Sequence, residues 1–191
     1  MTAALAQVQV EALAPPPPLA LGAMDEHRIG LKPVLRRVWA PLGERPVVTV
    51  RPRYQWLYLY GFVQPQTGRT EWLLMPTVSV AAFEAALQAF AEAIGAGSRK
   101  RVLLVLDQAG WHVRPRLTVP EGIELVLLPP YSPELQPAER LWPLTNEALA
   151  NRAFADLDEL EQAQAARCLV LQAHPEALRS RVNYHWWPQL P

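Results

Sequence analysis

The sequence predicts an α/β domain: one mixed sheet flanked by helices on both faces. Three observations carry this. A Val/Leu run at residues 102–106 stops at Asp107 and suits a strand buried on both faces. The aromatic, β-prone stretch 54–63 and the stretch 70–75 flank Pro65-Gln-Thr-Gly68, which is turn chemistry, so the pair reads as an antiparallel hairpin. Between hairpin and Val/Leu run, Phe83, Leu87, Phe90 and Ile94 recur at helical spacing and form one apolar stripe. The whole order reads strand, hairpin strands, helix, strand, helix, strand, helix.

At 191 residues and 50% hydrophobic composition, the chain is long and apolar enough for one domain with a real core. Residues 1–22 are rich in Ala, Leu and Pro, with Pro15 to Pro18 in a row; this predicts a stiff polyproline leader without a fixed place in the fold. The domain is then 23–191. Residues 24–31 form the first strand, which would turn Asp25 and Glu26 to opposite faces. Residues 34–40 and 46–50 read as two short strands about a turn at Gly43, with Trp39 in the core. Tyr54, Trp56, Tyr58 and Tyr60 alternate onto one face that a helix should cover. Ser79 caps that helix, and Gly95-Ala-Gly97 ends it near Ile94.

After Asp107, Gly110 and Trp111 lead into a short segment ending near Leu117, and residues 123–128 form another strand. Pro137 fits the first position of a helix running to Leu149, with a kink or restart at Pro143. Asp156 with Glu159 reads as a capping box. Leu157, Leu160, Cys168 and Leu171 give the buried side of that helix, and His174-Pro175 stops it. A last short helix spans 177–182. The aromatic tail 183–188 either packs back on the domain or makes a protein contact.

Composition excludes several classes. One cysteine rules out a disulfide framework and a cysteine-rich zinc site, and the four histidines are scattered. No Lys or Arg precedes Arg28, so the start lacks the charged region of a signal peptide. No apolar run approaches membrane-spanning length. The expectation is a soluble cytosolic protein with no membrane partner. Net charge is zero, but it is unevenly spread. Residues 28–53 hold seven bases (Arg28, Lys32, Arg36, Arg37, Arg45, Arg51, Arg53) and one acid, a net of +6. Such a half can hold phosphate on one face while the total stays neutral. For any single arginine, the bland alternative is a solvated side chain.

Asp107 ends a buried strand, the place where chemistry collects in open α/β sheets. An unpaired carboxylate there is costly to bury. Glu139 would open a helix 32 positions later (139 − 107), where the macrodipole favours its charged form. A third carboxylate would complete a hard, all-oxygen site for Mg²⁺ or Mn²⁺. The residues alone leave open whether Asp25 or Glu26 supplies it.

Leu106-Asp-Gln-Ala-Gly-Trp-His112 and Leu128-Pro-Pro-Tyr-Ser-Pro-Glu-Leu-Gln-Pro-Ala-Glu-Arg-Leu-Trp142 resemble the second and third acidic motifs of the mariner-like transposases of bacterial insertion sequences. These belong to the DDE endonuclease group. The proline-rich motif ending in Glu139 is the specific one. The resemblance implies a ribonuclease-H-like fold and selects Asp25, giving Asp25, Asp107 and Glu139 as catalytic and metal-binding residues. It implies two Mg²⁺ (or Mn²⁺) ions about 3.5–4 Å apart, and cleavage and strand transfer at insertion-sequence ends with insertion at short T-A targets. The partners implied are double-stranded DNA, at transposon ends and targets, and a second copy of the chain. The implied setting is the bacterial cytoplasm, at the nucleoid.

Arg28, Arg36 and Arg37, from the basic half, are candidate nucleic-acid contacts. So is His112, which matches a histidine common in the motif, whether as a phosphate contact or in packing. Gln108 and Gln136 depart from asparagines of the family pattern and keep the amide. The family's N-terminal helix-turn-helix modules have no counterpart before Asp25. One reading is the catalytic half of a two-frame element, with a helix-turn-helix domain from an upstream frame; a truncated remnant fits equally. The alternatives are an inactive truncated remnant, serving as a DNA-binding or dimerisation module, or another ribonuclease-H-like nuclease acting on RNA–DNA hybrids or branched DNA.

Overall fold

The computed structural model describes residues 18–48, 53–113, 115 and 117–188. Five strands make one mixed sheet in the order β3-β2-β1-β4-β5. β1 is Leu19–Gly30, β2 Trp56–Gln64, β3 Arg69–Met75, β4 Arg101–Leu106 and β5 Ile123–Leu127. β1 to β3 form an antiparallel meander, whereas β4 and β5 join parallel to β1. The expected mixed sheet with helices on both faces is therefore present. β1 starts at Leu19, which pairs with Arg101, so the strand takes in the last residues of the stretch read as leader. The rest of that leader lies outside the described residues.

Strand alternation sorts the core into two layers. On one face Met24, Tyr60, Phe62, Leu104 and Leu106 pack under α1 (Val80–Ile94) through Phe83, Leu87 and Phe90. Ser79 caps α1 by accepting from the Ala82 N–H, and Gly95 ends it at φ 68°, both as the sequence predicts. On the other face Leu21, Ala23, Leu59 and Val63 meet Leu141, Trp142, Cys168 and Leu178. These come from α2 (Trp142–Thr145), α3 (Leu157–Gln172), α4 (Pro175–Val182) and the 3₁₀ segment before α2. Asp156 caps α3 through the Glu159 N–H, while the Glu159 carboxylate reaches back to the Ala155 N–H, one residue beyond the usual box. Trp187 of the aromatic tail is buried against this layer, so the tail folds back on the domain. No helix among the described residues is long and apolar enough to cross a membrane.

Four expectations are corrected. Residues 34–48 form no strand, only a bridge from Val34 to Ala150. The reason is tertiary: β1 already has β2 and β4 as neighbours, and the Pro33, Pro41 and Pro46 segment lacks donors for a ladder. The rest of the second predicted strand, 49–50, lies outside the described residues. Trp39 is not core but fully exposed. The aromatic run splits, with Tyr58 and Tyr60 under α1 but Tyr54 87% and Trp56 42% exposed. The described residues between β4 and β5 make turns and no helix.

The predicted helix 138–149 is three short pieces: 3₁₀ at Pro137–Leu141, α2, and 3₁₀ at Asn146–Ala148. Pro143 explains the break. It has no N–H for the Glu139 carbonyl four residues back, and the Trp142 N–H takes that carbonyl in an i→i+3 bond instead.

Candidate metal-binding carboxylate site

β1 and β4 run parallel at a constant offset: Leu19 faces Arg101 and Ala23 faces Val105. The same offset of 82 (105 − 23) carries Asp25 to Asp107, side by side where the ladder ends. Glu139 comes from the 3₁₀ turn packed across β1 and β2. Gln136 fixes that turn. Its Nε2 donates to the Met24 carbonyl at 2.8 Å while its Oε1 accepts from the Ala138 N–H at 3.4 Å. A glutamine has the reach to bridge turn and strand, a physical reason for Gln over a shorter amide. Gln108 works alike, donating to the Leu128 carbonyl at 2.8 Å and tying the Asp107 loop to the end of β5.

Asp25, Asp107 and Glu139 thus line one cleft of about 390 Å³, walled by residues 128–133. All three acids that the resemblance selects meet there. Among the described residues, no three His, Cys, Asp or Glu side chains stand close enough to hold one ion; the acids ring the cleft and do not meet at a point. Their electrostatics fit a cation nonetheless. Burial raises the Asp25 carboxyl, the Trp142 N–H partly opposes this, and Glu139 and Glu26 add to it, leaving it at about 7. Burial and then Asp107 raise Glu139. The short 3₁₀ turn lends it no helix macrodipole strong enough to win, contrary to the expectation from a full helix. Clustered carboxylates that offer only oxygen to the cleft are the chemistry Mg²⁺ and Mn²⁺ select.

The supporting residues are mostly ones the sequence did not single out. The Asp25 Oδ2 accepts from Trp142 Nε1 at 3.0 Å, and its Oδ1 accepts from the Glu26 N–H at 2.8 Å. Trp142 can lie against the sheet because Gly61, the cross-strand partner of Asp25, has no side chain; a Cβ there would stand 2.8 Å from Trp142 Cη2. On the opposite face Glu26 points under α1, as alternation requires, and is buried. It accepts from Trp111 Nε1 at 3.1 Å and His112 Nε2 at 3.0 Å. His112 Nδ1 lies 2.8 Å from the Asp107 Oδ1. Burial alone would lower His112. Hydrogen bonds to Asp107 and Glu26 outweigh it and lift the imidazole to about 9, so at neutral pH both ring nitrogens donate. The same His112 bond, against some burial, holds Asp107 below its usual range.

His112 is therefore corrected as a nucleic-acid contact: it is 3% exposed and both nitrogens are taken by carboxylates. It orients Asp107 instead. The sequence held a signal for this. An acid alternating into a helix-covered face must find a donor, and Glu26 is such an acid. Arg36 lies beside the site in an adjoining hollow with Asp25 and Glu139, its Nη2 donating to the Pro143 carbonyl at 2.5 Å. Arg28 and Arg37 are exposed, Arg28 over the Trp56 ring at 5.3 Å. The structure does not bring them to the carboxylates.

Residues 21–161 match the family model described as DDE superfamily endonuclease. An uncharacterised protein, y4pE/y4sA of Sinorhizobium fredii (strain NBRC 101917 / NGR234), is 40% identical over 106 residues, 55% of this chain and 77% of that protein. In fold, the chain is similar to the catalytic domain of Mos1 mariner transposase, with a TM-score of 0.54 and 15% identity, covering 94% of this chain and 85% of that one. It is also similar to Mos1 in its paired end complex with Mg, at TM-score 0.53 and 20% identity over 86% of this chain. The chain spans 56% of the Mos1 chain in that complex.

Proposed function

We propose that this chain, which belongs to the DDE superfamily endonuclease family, is the catalytic domain of a mariner-like transposase that cuts and joins DNA at insertion-sequence ends. The observation that carries the reading is the cleft shared by Asp25, Asp107 and Glu139, three acids far apart in sequence. In this reading all three bind Mg²⁺ or Mn²⁺, two ions in all. When bound, the metal supplies an activated water or 3′-hydroxyl and neutralises the leaving oxygen.

The chain's own residues do the rest. Trp142 and the Glu26 N–H hold the Asp25 carboxylate by one donor on each oxygen. His112 and the Ala109 N–H occupy the Asp107 Oδ1, which leaves Oδ2 for the cleft. Burial of Asp25 keeps its charge costly until a cation arrives, so protons and metal compete for it. In this reading Arg36, beside the cleft, and the fully exposed Tyr131, at φ 58° on the cleft wall, meet the DNA backbone. No protein nucleophile is required.

The reading extends to partners. The Mos1 paired end complexes support DNA ends as ligand. We place the chain in the bacterial cytoplasm at the nucleoid, acting as a homodimer with end recognition supplied by a helix-turn-helix domain. Asp107→Asn tests it in a Mg²⁺-dependent cleavage assay on end-bearing DNA. Loss of cleavage with the fold intact is expected; undiminished cleavage rejects the reading.

A further inference from the structure

A second hollow lies beyond the carboxylates, and its lining differs sharply in chemistry. It measures about 460 Å³ and sits where β1 leaves the sheet. Arg28, Lys32 and Arg53 line it together with Tyr54 and Trp56. Three of the seven bases of the +6 stretch therefore gather around the two aromatic rings that the core left out. Tyr54 is 87% exposed, lies just before β2, and Arg53, Gln55 and Trp56 beside it are exposed as well. With Trp56, 42% exposed, it makes an aromatic patch beside the cations, and a patch of this kind marks an interaction site. None of the three cations is paired with a carboxylate among the described residues. Arg53 is instead held by the Ala155 carbonyl at 2.7 Å, and Arg28 lies over Trp56 at 5.3 Å.

A third depression lies between the hollow and the carboxylate cleft: it shares His27, Val34 and Asn146 with the hollow and Asp25 and Glu139 with the cleft. The three depressions thus adjoin in series, from an acidic end to a basic, aromatic end. Gly30 at the far end lies five residues beyond Asp25 along β1, roughly 17 Å at strand rise. Measured along a B-DNA axis, that is a rise of about five base pairs.

We propose that this basic–aromatic hollow binds an unpaired base of a DNA strand whose backbone continues to the carboxylate cleft, with Tyr54 as the stacking platform and Lys32 and Arg28 on the flanking phosphates. Exposed aromatics beside cations are how proteins hold single strands: every base has a π-face, and the cations follow the backbone. A continuous duplex keeps its bases stacked on each other and offers Tyr54 nothing. The proposal rests on the DNA-directed reading above, and it names a strand conformation that reading does not require.

The test uses the whole chain and a duplex carrying one unpaired 2-aminopurine, beside the fully paired duplex. Stacking quenches 2-aminopurine fluorescence. Wild type is expected to bind the unpaired-base DNA more tightly and to quench it. Tyr54→Ala should weaken that binding about five- to a hundred-fold, the loss of one stacked base, with the paired duplex unaffected. Tyr54→Phe should restore both affinity and quenching. Lys32→Gln should weaken both DNAs alike and lower the salt slope by about one. Because Tyr54 is exposed, its melting temperature serves as the control for folding. Equal affinity of Tyr54→Ala and wild type, or an equal loss on both DNAs, overturns the proposal. Asp107→Asn cleavage is read separately, so a failed stacking site and a failed nuclease reading are told apart.

Discussion

Glu26→Ala should destabilise the protein in a strongly pH-dependent way. The Glu26 carboxylate is buried and takes two donors, Trp111 Nε1 and His112 Nε2. The Trp111 bond is between a neutral donor and a carboxylate and is worth about 1–2 kcal/mol at any pH. The His112 bond is different. Burial opposes the charged imidazole, yet Asp107 and Glu26 lift it from 6.5 to about 9. A raised histidine stabilises the fold fully below its unfolded value of 6.5 and loses that contribution as pH climbs through 9. A rise of 2.5 (9 − 6.5) corresponds to on the order of 3 kcal/mol. Without Glu26 part of that is gone, and a buried cation keeps only Asp107. We predict a loss of about 3–5 kcal/mol at pH 6, shrinking to about 1–2 kcal/mol near pH 9.5, where only the Trp111 bond still counts. Urea denaturation of wild type and variant at the two pH values measures this: groups remote from Glu26 cancel in the difference, and Asp25, which Glu26 helps to raise, moves the cost in the same direction. An equal cost at both pH values would refute the reasoning, as would a cost below about 1 kcal/mol at pH 6.

Gly61→Ala places a Cβ 2.8 Å from the Trp142 ring and must push the indole off Asp25. Overpacking of this kind costs about 1–3 kcal/mol, and denaturant melts together with a shifted tryptophan emission should report it. Cys168 is buried and burial pushes its thiol up to about 11, so a disulfide exchange reagent should label it only after unfolding. Fast labelling of the folded chain would contradict the packing of α3. Asp25, raised to about 7, favours the fold when protonated; that contribution is full below 3.8 and lost as pH rises through 7. A cation replaces the proton best above that range. The Mg²⁺- or Mn²⁺-induced rise in melting temperature should therefore be larger at pH 8 than at pH 5.5, and equal shifts would argue against metal at Asp25.

What the chain states locally, the sequence shows. Ser79, Gly95 and Asp156 act within a turn of themselves, and Val102 to Leu106 declare a strand by composition alone. Asp107 at the end of that strand follows directly. What depends on neighbours was not legible. The offset that sets Asp25 beside Asp107 belongs to a parallel pairing across 82 residues. Glu26 and His112 are 86 residues apart, and nothing in either motif names the other. Residues 34–48 have the look of strands and fail because both sides of β1 are taken. Tyr54 alternates correctly with Tyr58 and Tyr60 but lies past the last paired residue, Trp56 opposite Gly30, where no helix covers it. Pro143 was legible as a break; that the turn would close as 3₁₀, with Glu139 exposed at the cleft, was not.

The central claim is that Asp25, Asp107 and Glu139 together hold divalent metal. Titrating the intact chain with Mn²⁺ while following the free ion by electron paramagnetic resonance tests it most directly. Two bound ions per wild-type chain are predicted, with binding at least about ten-fold weaker in each of Asp25→Asn, Asp107→Asn and Glu139→Gln. Even partners of metal ligands are worth that much. Three variants that titrate like wild type would contradict the account.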